Sequence, residues 1–121
     1  EAMRSEDPLR RYWGAFGCVV LGEDSVPAKG EMTGLLKDEN KMVRVTAAVA
    51  LGKMGEQDAA IALLQKEIMQ GTEYEVLAAV HGLEQFPDGW EEVKGRLEEL
   101  KKAGRNNDTA RVATFMLSKM N

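Results

Sequence analysis

The segment from Glu6 to Glu23 aligns without a gap on the segment from Glu39 to Glu56, 33 residues further along. Arg11 falls on Arg44, Ala15 on Ala48, Leu21 on Met54, Gly22 on Gly55 and Glu23 on Glu56. A third copy follows 32 residues later, and a degenerate fourth lies 66 beyond the second. Self-similarity at this period restricts a chain to stacked supersecondary units, none of which can bury its apolar face alone.

Stacking the copies shows what the repeat supplies. One column reads Gly14, Ala47, Ala79, Ala113, and the column three residues later reads Gly17, Ala50, Gly82, Met116. Next comes Cys18, Leu51, Leu83, Leu117, and three on again Leu21, Met54, Phe86, Met120. These are positions i, i+3, i+4 and i+7, one face of a helix. Tiny residues at two columns admit a neighbouring helix, and bulky ones at the other two fill the space between layers. Gly14 and Gly17 each cost about 1 kcal/mol of helix propensity against alanine, so close packing is the expected reason for them.

Start and stop signals agree with the columns. Asp7-Pro8 places a capping acceptor before a proline at the first helical position, and Asn40 caps the second copy. Gly22 and Gly55 stand where a left-handed C-cap requires glycine, and Pro87 ends the third copy. Shorter partner helices lie between, carrying Met32, Leu35 and Leu36, then Ala60, Ile61, Leu64 and Ile68, then Trp90, Val93, Leu97 and Leu100. The pattern predicts seven helices, at 8–21, 26–37, 41–54, 57–69, 73–86, 90–102 and 108–120, with no competing strand period. Gly30 and Gly34 make the second of them the weakest. The expected fold is all-α, a right-handed α-solenoid of antiparallel helix pairs, in one domain over 1–121 with repeats at about 6–38, 39–70, 71–103 and a partial one at 104–121.

Totals narrow the function classes. A net charge of −4 gives no general attraction to nucleic acid or to an anionic membrane, both of which call for a clustered basic surface. The longest apolar run, Ala15 to Leu21, is far too short to span a bilayer. A single cysteine, Cys18, rules out an internal disulfide framework and a multi-cysteine metal site, and leaves the compartment open. No leader is visible, and an opening Glu1-Ala2-Met3-Arg4 suggests a fragment of something longer.

The run Leu36-Lys37-Asp38-Glu39-Asn40-Lys41-Met42-Val43-Arg44-Val45-Thr46-Ala47-Ala48-Val49-Ala50-Leu51-Gly52-Lys53-Met54-Gly55 resembles HEAT repeats of the short, phycobilisome-lyase type. Arg11-Tyr12-Trp13-Gly14-Ala15, Leu35-Leu36-Lys37-Asp38 and the closing Ala110-Arg111-Val112-Ala113 look like the C-terminal HEAT-like extension of some bacterial sulfatases. That resemblance covers essentially the whole chain. Glu75-Val76 in the third copy and Arg10 in the first depart from the family's Val-Arg pair, which breaks a regular arginine ladder. The resemblance implies a parent sulfatase, periplasmic or secreted, whose catalytic motif Cys/Ser-x-Pro-x-Arg is not carried here, since Val19-Val20-Leu21 follow Cys18.

Few residues suggest chemistry of their own. Cys18 could be a nucleophile or chromophore attachment point, but its place in the core column reads as packing. His81, the one histidine, reads as structural or surface, and catalysis with Cys18 would need hydrogen-bond contact between them. Glu91-Glu92 and Glu98-Glu99 alternate with Lys94, Arg96, Lys101 and Lys102, a solvated face. Lys102 to Asp108 reads as a polar loop, and Trp90 as a staple for Pro87-Asp88-Gly89.

Four residues form the candidate interaction surface: Tyr12, Trp13, Arg11 and Arg44. The arginines read either as an anion-recognising ridge or as ion pairs with Asp38 or Asp7, the second being favoured. Adjacent Tyr12 and Trp13 cannot face one core together, so they read as interface anchors or as cover for a neighbouring helix. Leu9, Tyr12, Phe16 and Val19 are expected to add apolar surface to an uncapped first helix, which then packs on an upstream domain, on another subunit or on a second copy. The expectation is a non-catalytic scaffold or protein-binding module, without catalytic, cofactor or metal site, most plainly an accessory domain of a sulfatase-like hydrolase. Alternatives are a stand-alone adaptor or a lyase-type protein acting on a chromophore-bearing partner.

Overall fold

A computed structural model describes residues 2–22, 27–71, 76–103 and 107–120. Among them lie seven α-helices and no strand: α1 Pro8–Leu21, α2 Lys29–Leu35, α3 Lys41–Lys53, α4 Gln57–Gln70, α5 Leu77–Glu84, α6 Lys94–Ala103 and α7 Asp108–Met120. The predicted fold class is therefore the observed one, all-helical and repetitive. The residues group into two compact units, Glu1–Leu63 and Leu64–Asn121, with the boundary inside α4.

In the first unit α1 and α2 both pack on α3, and a 3₁₀ turn at Ala2–Arg4 leans on α1. The ends of the helices follow the capping residues. Asp7 Oδ1 accepts from the Leu9 N–H at 3.0 Å, with Pro8 at the first helical position. Asn40 Oδ1 accepts from the Val43 N–H at 3.2 Å. Gly22 and Gly55 take φ of +59° and +100°, conformations that L side chains resist. The core gathers Ala15, Cys18, Met32, Leu35, Val43, Ala47, Ala50, Leu51 and Met54. With Gly30 and Gly34 inside it, α2 is the shortest α-helix described, and residue 26 of the predicted span lies outside the described residues.

In the second unit α7 packs on α5 and α6. Ala79, Gly82, Leu83, Ala113 and Met116 are buried, as the columns require, while Leu117 and Met120 are half-buried. α5 stops at Glu84 rather than Phe86, because a residue before proline is pushed out of the helical region, and Phe86 sits at φ −129° ahead of Pro87. Residues 73–75 of that predicted helix lie outside the described ones. The predicted helix 90–102 begins instead with 3₁₀ turns at Pro87–Gly89 and Glu91–Val93, and its α-helical part is α6. Trp90 is buried between these turns, and its Nε1–H donates to the Leu83 carbonyl at 2.7 Å, closing the C-terminal end of α5. Of the expected loop, 104–106 lie outside the described residues, and Asn107 caps α7 by accepting from the Ala110 N–H at 2.7 Å.

Two expectations about packing are corrected. Leu21 belongs to the bulky column, yet it is 57% exposed. Gly17 belongs to the tiny column, yet a Cβ built there would meet nothing within 4 Å, so close packing is not what keeps glycine. The cause is positional. α3 is buried around most of its circumference, from Val43 and Ala47 on one side to Val45, Ala48 and Gly52 on the other. α1 is covered only where Tyr12, Ala15 and Val19 match Val45, Ala48 and Gly52, and the side matching Val43, Ala47, Ala50 and Met54 has no helix against it among the described residues.

Candidate interaction surface

A helix advances about 100° per residue, so Arg11 and Trp13 point to nearly opposite sides of α1. The structure separates the four candidate residues accordingly. Arg11 and Arg44 converge on Asp38 at one side, while Trp13 stands on the other, with Tyr12 between.

The Asp38 cluster is a clasp between helices. Arg11 Nε donates to Asp38 Oδ2 at 2.7 Å and Nη2 to Oδ1 at 3.1 Å, a bidentate pair, while Nη1 donates to the Ser5 carbonyl at 2.9 Å. Arg44 Nη1 donates to the Asp38 carbonyl at 2.8 Å, and the Asn40 N–H donates to Asp38 Oδ1 at 2.9 Å. The side chains of Arg11 and Asp38 are only 12% and 7% exposed. Burial pushes the Asp38 carboxyl up, but hydrogen bonds from Arg11 and the Asn40 backbone, with the charges of Arg11 and Arg44, bring it below its ordinary range. Arg11 is raised, first by its hydrogen bond to Asp38, against the opposing effect of burial, and then by the charges of Asp38, Glu39 and Asp7. The geometry is that of a tie holding the entry to α1 and the entry to α3 together.

The other side of α1 is apolar and open. Leu9, Trp13, Phe16 and Val20, at i, i+4, i+7 and i+11, are 61%, 56%, 40% and 70% exposed. Tyr12 and Val19, expected in that patch, instead pack against the core, and Trp13 and Val20 take their places. The reason is again rotation: the buried side of α1 centres between Ala15 and Cys18, which brings Tyr12 and Val19 to its edge and leaves Trp13 facing away. Three aromatic rings brace one another there. Tyr12 and Trp13 meet edge to face at 5.2 Å, Trp13 and Phe16 edge to face at 5.7 Å, and Tyr12 stacks on Phe16 at 6.1 Å. Beside them an open groove of about 490 Å³ is lined by Asp7, Pro8, Leu9, Tyr12, Asn40 and Met42.

The residues considered for catalysis lie elsewhere. Cys18 is buried in the first unit's core at 7% exposure. His81 lies on the surface of the second unit, with Nδ1 3.8 Å from Glu84 Oε1. Among the described residues no three His, Cys, Asp or Glu side chains gather where a metal could sit. Arg96, placed by sequence on a solvated face, donates from Nε to the Ile68 carbonyl at 3.1 Å and from Nη2 to the Gly71 carbonyl, capping the C-terminal end of α4. No sequence signal marked it, because its partners are backbone oxygens 25 and 28 residues away.

Paired helices, glycine C-caps and tiny-and-bulky columns define a helical-repeat protein. A model of the HEAT-repeat family matches residues 1–84. The chain belongs to that family. No curated protein matches it.

Proposed function

We propose that this chain is a non-catalytic interaction module that binds protein through the outward side of α1, and that it serves as the C-terminal accessory domain of a sulfatase-family hydrolase. The supporting observation is the Leu9–Trp13–Phe16–Val20 stripe. A helix apolar on every side is ordinarily buried, and α1 carries no charge from Tyr12 to Leu21. Single exposed apolar residues need no explanation, but a continuous stripe whose two rings, Trp13 and Phe16, are braced by each other and by Tyr12 has the anatomy of a hot spot. The partner in this reading is an upstream domain of the parent or another subunit, not a nucleic acid or a membrane. The parent rests on the resemblance of Arg11-Tyr12-Trp13 and the closing repeat, and on nothing geometric.

Hydroxyl-radical footprinting at about 1 μM tests the module directly. Leu9, Trp13, Phe16 and Val20 should oxidise readily in the isolated chain and be protected in the intact native protein. Equal oxidation in both would overturn the reading. The lyase-type alternative needs an accessible Cys18 thiol, which its burial disfavours, and rapid labelling of the folded chain would revive it.

A further inference from the structure

We draw no further inference here: the strongest candidate, the apolar face of α1 formed by Leu9, Trp13, Phe16 and Val20, belongs to the surface already described, and nothing in the structure shows what covers it.

Discussion

Gly17→Ala adds one methyl at the tenth residue of a fourteen-residue helix, at a point where a Cβ meets nothing within 4 Å. No clash opposes it, so the change in stability reduces to backbone propensity, about 1 kcal/mol in favour of alanine within a helix. For a chain of this size that raises Tm by about 3–6 °C. Gly22 supplies the control, because a Cβ there also meets nothing within 4 Å while φ is +59°. The two positions share open space and differ in conformation. Gly22→Ala should therefore destabilise by roughly 1–2 kcal/mol, the strain of a left-handed backbone with a side chain. Thermal melts followed by circular dichroism would measure both. Loss of stability in Gly17→Ala would refute the reasoning, since it would mean that a neighbour packs on Gly17 in the folded chain. So would a shift of the same sign at both glycines.

Three further outcomes follow from the clasp and the caps. The Asp38 carboxyl is held below its ordinary value of 3.8, so its charge stabilises the fold fully above that pH, and the contribution fades as pH falls through the lowered folded value. Asp38→Asn should lower Tm at pH 7 and show a shallower further decline between pH 4 and 2 than the parent chain, measured by melts across that interval. Trp90→Phe keeps the buried ring but removes the donor to the Leu83 carbonyl 2.7 Å away, and should cost about 1–2 kcal/mol in urea unfolding. Asn40→Ala deletes the acceptor for the Val43 N–H and should cost about 1 kcal/mol by the same assay.

What was legible in the sequence is what translation along the repeat determines. Asn40, Gly55 and the Ala47–Ala50–Leu51–Met54 column were placed correctly because capping and helical period depend on residues within a turn or two. The Arg11–Asp38 pair could be named for a related reason, since both residues occupy repeat positions whose spacing is fixed. The bonds that Trp90 and Arg96 make to the Leu83, Ile68 and Gly71 carbonyls are not legible, because these are orphan groups at helix ends, and which side chain reaches them depends on tertiary placement. A column also assumes a neighbour. Leu21 and Gly17 carry the repeat's pattern without the helix that would cover it, so their sequence spoke for a core they do not enter.

That mismatch carries the functional argument. In α3 the tiny column receives another helix, and the reward for its alanines is burial on both sides. α1 has gone further, to glycine at both tiny positions, and bears the propensity cost of each without a contact to offset it at Gly17. It also carries Leu9, Trp13, Phe16 and Val20 where α5 tolerates histidine and glutamine. Either feature alone would be a weak signal, one a missed stabilisation and the other an exposed patch. Together, on a helix that carries no charge from Tyr12 to Leu21, they mark a side shaped for contact rather than for this fold's own core. A fold maintained only for its own stability has no use for that combination, whereas a surface that docks on a matching helix uses both.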